Sequence, residues 1–146
     1  MTDNLKIGQI LWLKVRYQLD KVADEKHPML IAKIYDDYIE VIAIDKTKGR
    51  LHQLFRPYNY YINSQNPKEK VLFEDSYAQL NTKLTIERFD DLSTYRKTDE
   101  CLLQEKLEDL LTYYEDYQTN NKLDKERIIH ITKEELLKLN QNIDNL

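Results

Sequence analysis

The chain has 146 residues, of which 33% are charged, and 22 Lys and Arg against 26 Asp and Glu give a formal net charge of −4. This length fits one domain, the mixed charge argues against disorder, and the mild acidity argues against a general DNA-binding protein. A single cysteine, Cys101, argues against a disulfide framework and a cysteine-based zinc site. No run approaches the ~18 apolar residues of a membrane helix, so we expect a cytoplasmic protein with no membrane contact.

The first part of the chain predicts strands around a central hairpin. Residues 7–17, IGQILWLKVRY, predict a strand, and the polar residues 18–26 predict a loop. Residues 27–45, HPMLIAKIYDDYIEVIAID, contain two apolar runs on either side of Asp36 and Asp37. Two β-rich runs around a two-residue turn are typical of a β-hairpin, and continuous apolar character predicts burial on both faces. We therefore expect this hairpin to form the core of the fold.

The region after the hairpin alternates between turns and short strands. KTKGR, residues 46–50, predicts a turn at Gly49, and residues 51–55 predict a short strand. Residues 56–70 contain two prolines and three tyrosines and predict a loop, either a functional loop or a variable surface insertion. Further strand signals follow at 71–73, 76–80 and 82–87.

The last third of the chain has a helical period. Thr98 is a candidate N-cap, because acidic residues follow it in the expected first turn. The apolar side chains that recur every three or four residues are Leu103, Leu107, Leu110, Tyr114 and Tyr117. This stripe is expected to pack on the sheet. After a polar break, residues 127–131 carry a strand signal, and Thr132 with Glu135 forms a capping box for a second helix. The last residues, 141–146, are expected to fray.

Basic residues and one histidine gather at the ends of the predicted hairpin. His27 stands beside Lys26 before the first strand, while KTKGR follows the second. Histidine can act as the general acid or base of phosphodiester cleavage, and lysine or arginine can stabilise charge on the phosphate. A solvated loop histidine and a solvated basic turn are the alternative interpretations. The sequence has no P-loop, no G-x-S-x-G elbow and no H-x-x-H pair, so we expect no nucleotide triphosphate, cofactor or metal site.

Four stretches follow one another in an informative order: GQILWL, then HPMLIA, then EVIAI, and, after an insertion, DSYAQLNTKLTIERFDDL before the helix. Over residues 5–111 the chain resembles the MazF/PemK (Kid) toxins of type II toxin–antitoxin systems. The resemblance implies an α+β fold with a small SH3-like β-barrel and C-terminal helices. Residues 1–118 would form a MazF/PemK-like barrel domain with its packing helix, and residues 119–146 a C-terminal strand and helix extension.

The same resemblance implies an activity and partners. It implies a metal-independent endoribonuclease that cleaves single-stranded RNA, leaves a cyclic phosphate, forms a homodimer and binds an antitoxin protein. The chain departs from the family at several catalytic positions. The family's arginine before proline falls on His27, and its Thr or Ser after the third strand falls on Asp45, two residues before Thr47. Its L-D-Q acid falls on Asn81, and its R-T arginine falls on Leu84.

We expect the catalytic residues to be His27, Thr47 and Arg50. The expected substrate-binding residues are Lys26, Lys46, Lys48, Lys83, Tyr60 and Tyr61. Because the family's catalytic positions are altered, the alternative is a non-catalytic SH3-like barrel module that binds RNA or a protein partner through its tyrosine-rich loop and basic turn. A third interpretation is an assembly protein whose contact is the exposed face of the helix.

Overall fold

The computed structural model describes residues 3–18, 21–72 and 74–141. The predictions made for Phe73 and for the last five residues lie outside these ranges. Within them, the fold is α+β and consists of a seven-stranded, mostly antiparallel sheet, a two-stranded ribbon and two α-helices. No helix in the described ranges is both long enough and apolar enough to cross a membrane.

The regular elements occur in the following order. The strands are β1 (Ile10–Leu13), β2 (Arg16–Gln18), β3 (Lys21–Val22), β4 (His27–Ile34), β5 (Tyr38–Lys46), β6 (Asn59–Ile62), β7 (Ser76–Gln79), β8 (Lys83–Glu87) and β9 (Ile128–Ile131). The α-helices are α1 (Gln104–Asn120) and α2 (Lys133–Leu139). Short 3₁₀ helices cover Leu51–Phe55, Asp90–Tyr95 and Lys125–Arg127.

Strand β5 organises the sheet because both of its edges are paired. β4 runs antiparallel along one edge, with Ile34 opposite Ile39 and Met29 opposite Ala43. On the other edge, the first part of β5 pairs with β8, and its end pairs with β7. β1 extends the sheet beyond β4, β9 lies parallel to β8, and β6 lies outside β7. The predicted hairpin is therefore confirmed.

The hairpin strands are buried on both faces, as predicted. Met29 and Ile31 of β4 pack with apolar side chains from β1, β8, β9 and α2. Leu30 and Ala32, which alternate with them, pack with α1 and with the branch formed by β6 and β7. Because successive side chains of a strand point to opposite faces, one continuous apolar run supplies two cores.

Helix α1 packs on the sheet through its apolar stripe, which confirms that prediction. The buried side chains of the helix are Leu107, Leu110 and Tyr114. The Tyr114 hydroxyl donates a 2.6 Å hydrogen bond to the buried Glu40 carboxylate of β5. Burial, followed by this hydrogen bond, raises the pKa of Tyr114, so its hydroxyl remains a protonated donor.

Three predictions between the hairpin and α1 are wrong. Residues 51–55 form a 3₁₀ helix and not a strand, because their N–H groups bond to carbonyls three residues earlier. The predicted loop 56–70 contains β6, whose partner β7 is distant in sequence and invisible to local composition. Residues 71–72 are buried without forming a strand, because the Glu69 carboxylate accepts their backbone N–H groups at 2.9 and 3.4 Å.

The predicted start of α1 is also wrong. The Thr98 hydroxyl accepts a hydrogen bond from the Glu100 N–H at 3.2 Å, which closes a local turn. Leu102 then donates its N–H to the Gly8 carbonyl at 2.8 Å, so the chain is tied to the segment before β1 until α1 begins. Gly8 has a φ of +96°, a conformation that side chains disfavour, and a Cβ there would lie 2.7 Å from Leu107.

The N-terminal strand prediction divides into two strands. Residues 7–17 hold β1 and the start of β2, while β3 lies inside the predicted loop 18–26 and pairs with β2. The Arg16 guanidinium of β2 pairs with Glu135 of α2 and donates to the His130 carbonyl of β9 at 3.1 Å. These bonds connect the ribbon to the C-terminal elements.

The C-terminal elements share a core with the first half of the chain. Leu136 of α2 is fully buried in the core that contains β1. The Asn140 amide accepts a hydrogen bond from the Lys14 N–H at 2.8 Å and donates to the Lys14 carbonyl at 3.0 Å. The Glu135 N–H donates to the Thr132 hydroxyl at 3.2 Å, which confirms the Thr132 half of the predicted capping box, while the Glu135 carboxylate pairs with Arg16.

Candidate functional site

A cleft of about 550 Å³ opens where β4 begins and β5 ends. Antiparallel pairing sets its position: Met29 lies opposite Ala43, and two residues further along each strand are His27 and Asp45. Both of these residues line the cleft. The sequence therefore brings the two polar ends of its most apolar hairpin to one edge of the sheet.

Five of the predicted site residues line this cleft. They are Lys26, His27, Lys46, Lys48 and Arg50. The cleft also contains the carboxylates of Glu25, Asp45 and Glu74. Four Lys and Arg side chains thus face three carboxylates, and we call this cavity the basic cleft.

A second cleft of about 570 Å³ adjoins the first. Both clefts are lined by Glu25, His27, Asp45 and Arg50. In the second cleft, Asp24 joins Glu25 and Asp45 as a third carboxylate, and Arg50 is the one Lys or Arg side chain among its lining residues. His27 therefore lies between a basic cleft and an acidic one, and the acidic side disfavours a polyanion there.

Asp45 and Arg50 form an ion pair at the boundary between the clefts. The Arg50 guanidinium donates to Asp45 Oδ2 at 2.7 Å, and the Tyr77 hydroxyl lies 3.5 Å from the same oxygen. A hydrogen bond to Tyr77 and then the charge of Asp45 raise the pKa of Arg50. The side chain of Arg50 is half exposed. Asp45 thus orients a cation that lines both clefts and stays half exposed.

Thr47 lies in a different environment from His27 and Arg50. Its side chain is 7% exposed, and its backbone N–H donates to the Asp75 carbonyl at 3.0 Å. Its hydroxyl donates to the same carbonyl at 3.3 Å. Thr47 and Lys48 line a third, smaller cleft of about 270 Å³. The structure therefore brings His27 and Arg50 together but directs the Thr47 hydroxyl to the backbone.

The two predicted binding tyrosines lie on β6, away from the basic cleft. The Tyr60 hydroxyl donates to Asp109 of α1 at 2.7 Å, and its ring centre lies 5.0 Å from that of Tyr113. Burial and then the bond to Asp109 raise the pKa of Tyr60. The Tyr61 hydroxyl donates to Asp75 at 3.0 Å. These contacts give both tyrosines a structural role between the sheet, the helix and the following loop.

Lys83 lies on a separate branch of the sheet. It begins β8 and stands opposite Ile128 of β9. It lines none of the three clefts described above. Its predicted contact with the same substrate would require a ligand that extends well beyond the basic cleft.

Several residues of the cleft escaped the sequence-based prediction. Trp12 of β1 stands opposite Pro28 and lines the cleft, and the Lys97 ammonium lies 4.0 Å from its ring centre. Tyr77 reaches Asp45 because β7 pairs with the end of β5. Neither strand pairing is encoded in a local pattern, so no signal in the sequence pointed to these two side chains.

One wall of the basic cleft is held by a buried carboxylate. Glu69 is 5% exposed, and its Oε2 accepts hydrogen bonds from the N–H groups of Lys70 and Val71, both at 2.9 Å. Its Oε1 accepts from the Leu103 N–H, at the start of α1, at 3.3 Å. Glu69 therefore fixes the wall formed by Val71 and Leu72 to the helix.

Two further observations bear on the identity of the site. The described residues contain no group of three or more His, Cys, Asp or Glu side chains that could hold a metal ion. Comparison with protein-family models and with curated proteins gives no match. The resemblance to the MazF/PemK toxins therefore remains a prediction from the sequence.

Proposed function

We propose that the protein is a MazF/PemK-like, metal-independent endoribonuclease that cleaves single-stranded RNA in the basic cleft. The observation that carries the proposal is that His27 shares one cleft with four Lys and Arg side chains. An imidazole that shares a cleft with several cations suits transesterification at a phosphodiester. The proposal includes the family's homodimer and antitoxin partner, which follow from the resemblance.

The chemistry needs a base, a proton donor and positive charge. In the proposed reaction His27 takes the proton of the RNA 2′-hydroxyl, whose oxygen attacks the adjacent phosphorus. The bond to the 5′-oxygen breaks, and that oxygen takes a proton from a lysine ammonium group or from water. The products are a 2′,3′-cyclic phosphate and a free 5′-hydroxyl. Arg50 and the lysines of the cleft stabilise the extra negative charge of the phosphorane.

The ion pair between Asp45 and Arg50 explains how the altered family position at Asp45 is compatible with this chemistry. A carboxylate at Asp45 would repel a phosphate, but its contact with Arg50 at 2.7 Å offsets the charge. Thr47 is left out of the proposed mechanism because its hydroxyl donates to a backbone carbonyl.

We further propose that the sheet is a variant of the family's SH3-like barrel. β1, β4, β5, β8 and β9 enclose one apolar core. The bond from Arg16 of β2, the strand that follows β1 in the chain, to the His130 carbonyl brings the ribbon next to β9, at the far end of that strand series. Both observations support a curved, partly closed sheet.

The test is to incubate the purified protein with a long mixed-sequence RNA in EDTA and to map new RNA ends. We expect discrete cuts with 2′,3′-cyclic phosphate ends in the absence of metal. The H27A variant should lose cleavage, since general acid–base groups typically contribute about 10²- to 10⁴-fold. Uncut RNA in the presence of folded wild-type protein would refute the proposal.

A variant of a second histidine, His130, controls for effects of histidine replacement that do not involve the basic cleft. His130 is exposed on β9, contacts Thr85 at 2.8 Å and lies outside the clefts. The H130Q variant should therefore cleave RNA like the wild type. Equal activity of H27A and wild type would remove His27 from the mechanism even if cleavage occurs.

The second candidate function is a binding module without catalysis. It is favoured by the three carboxylates in the basic cleft and by the pairing of Arg50 with Asp45. This alternative predicts retention of RNA or a protein partner with no new RNA ends. The same incubation, followed by a binding measurement on the uncut RNA, distinguishes the two functions.

A further inference from the structure

The segment that follows the hairpin differs from the rest of the chain in charge. Residues 46–68 contain no Asp or Glu, although acids outnumber bases in the whole chain. The segment contains five cations: Lys46, Lys48, Arg50, Arg56 and Lys68. Such a local surplus of positive charge is the electrostatic signature of a surface that meets phosphates.

A rigid helical turn lies inside this basic segment. Backbone N–H groups bond to carbonyls three residues earlier in an unbroken series that joins Thr47, Arg50, Gln53, Arg56 and Asn59 at 2.8–3.1 Å. The Asn59 side-chain amide adds a 2.9 Å bond to the Gln53 carbonyl. The 3₁₀ helix Leu51–Phe55 is thus held by its backbone, since none of its side chains is buried.

This helix presents an aromatic side chain to solvent. Phe55 is 87% exposed, more than any other large apolar side chain in the described ranges, and Leu51 is 64% exposed. A single exposed apolar side chain is common, but here two of them, Leu51 and Phe55, lie together on one short helix within the basic segment, and exposed apolar surface among cations suits a binding role. Residues three apart share one side of a 3₁₀ helix, which places His52 beside Phe55.

We infer that the 3₁₀ helix Leu51–Phe55 is a base-stacking platform for single-stranded RNA, next to the basic cleft. The ring of Phe55 stacks on a base that flanks the cleaved position, with His52 beside it. Arg56, which follows the helix, pairs with the adjoining phosphate, while Arg50 stays with the phosphate in the basic cleft. This inference rests on the proposed function and adds to it a subsite for the neighbouring nucleotide.

The observations favour RNA over a protein partner for this surface. The exposed Phe55 ring next to the Arg56 cation suits one base and its adjoining phosphate in a single strand. Arg50 both begins the helix and lines the basic cleft, so the two surfaces are continuous. With a 3₁₀ rise of about 2 Å per residue, Phe55 lies roughly 10 Å along the chain from Arg50. A nucleotide chain held in the cleft can therefore reach the ring.

The test measures binding of a fluorescein-labelled, 2′-O-methylated RNA oligomer of mixed sequence by anisotropy in EDTA. This probe cannot be cleaved because its 2′-oxygen is blocked. The F55S variant should bind about 5- to 100-fold more weakly, as expected for loss of one base–aromatic stack. F55L should lose nearly as much affinity, because leucine has no π face, whereas F55W should bind at least as tightly as wild type.

The phosphate contact of Arg56 is tested separately by the salt dependence of RNA binding. R56A should lower the salt slope of log K by about 0.7 per lost phosphate contact.

A control variant completes the test, and its outcomes separate failure of the stacking platform from failure of the proposed function. Leu137 is 42% exposed on α2 and lies outside the clefts, so L137S should bind like wild type. Wild-type affinity in F55S, or full affinity in F55L, overturns the stacking platform while the proposed function stands. Loss of self-association in F55S by sedimentation also overturns it, because Phe55 would then be a contact between copies. If wild-type protein binds no RNA, both proposals fail.

Discussion

The hairpin β4–β5 and the segment that follows it, residues 47–72, are neighbours in sequence but are held in place by different interactions. Hairpin side chains are buried on both faces, and each strand has a full backbone partner. The segment 47–72 has one short strand, β6, and its backbone is held mainly by turns and by polar side chains such as Glu69.

Because of this difference, the hairpin contributes mainly to stability, and the following segment contributes mainly to the candidate site. Apolar burial stabilises the middle of the hairpin without offering chemistry, because those side chains are inaccessible, and only its ends, at His27 and at Asp45 and Lys46, reach the basic cleft. The following segment supplies Lys48 and Arg50 to the basic cleft and exposes Phe55. Binding groups on a loop positioned by a rigid scaffold are a common arrangement, and such loops open at lower free energy than the core.

The largest expected effect comes from truncation inside the hairpin. Leu30 is fully buried between the sheet and α1, so L30A should lower the free energy of unfolding by about 2–5 kcal/mol through lost burial and a residual cavity. Urea unfolding followed by circular dichroism measures this. The matched truncation in the following segment, F55A, should change the same quantity by less than about 0.5 kcal/mol. Equal losses in both variants would contradict the comparison.

The same difference decides how much of the fold the sequence predicts. The hairpin and the cap at Thr132 are local patterns, and both were predicted correctly because neighbouring residues carry the signal. The sequence predicts a loop where β6 forms, because the partner strand β7 comes only after the intervening residues 63–75. The start of α1 was missed because a long-range bond from Leu102 to Gly8 holds the chain extended.

The candidate site was predictable to a similar extent. Lys26, His27 and the basic turn were expected to meet because they flank one hairpin, and they do line one cleft. The contact between Asp45 and Tyr77 depends on the pairing of β5 with β7. The hydrogen bond from the Tyr60 hydroxyl to Asp109 of α1 could not be predicted from the sequence, since only packing decides which way a strand residue points. The prediction of the site was limited by strand pairing and packing between distant parts of the chain, which residue types alone do not reveal.

The second prediction concerns an ion pair that ties the N-terminus to the hairpin turn. Arg88 donates to Asp3 at 2.7 and 2.8 Å and to the Tyr35 carbonyl at 2.8 Å. The Asp3 side chain is fully buried, so D3N should lower the free energy of unfolding by about 2–3 kcal/mol at pH 7. Urea unfolding measures the difference, and the exposed acid in D124N serves as the control.

The pH dependence of that difference has a definite sign. The hydrogen bond from Arg88 holds the pKa of Asp3 below its ordinary value of 3.8. A lowered carboxyl pKa contributes stability above the ordinary value, and that stability is lost as the pH falls through the lowered value. The gap between wild type and D3N should therefore be full at pH 7 and shrink below pH 3.8. A gap that widens with acid would contradict this assignment.

The third prediction concerns the wall of the basic cleft. Glu69 accepts backbone N–H groups from Val71 and from Leu103 at the start of α1. The E69Q variant replaces one acceptor oxygen with a donor and removes the charge, so we expect a loss of about 1–2 kcal/mol in unfolding free energy. Amide hydrogen exchange at Val71 and Leu103 should accelerate, while exchange in β4 stays slow. Glu74 is exposed on the same wall, and E74Q should change neither quantity.

The smallest effect is expected at Thr47, where the resemblance and the structure lead to different roles. The hydroxyl makes one long bond of 3.3 Å to the Asp75 carbonyl, while the backbone N–H of Thr47 bonds to that carbonyl independently. The isosteric T47V variant should therefore lose only about 0.5–1 kcal/mol of unfolding free energy. RNA cleavage should stay within about threefold of wild type, because the hydroxyl donates to the Asp75 carbonyl and Thr47 is not among the residues that line the basic cleft. A folded T47V protein that cannot cut RNA would restore Thr47 to the catalytic set and would require its side chain to rotate when the substrate binds.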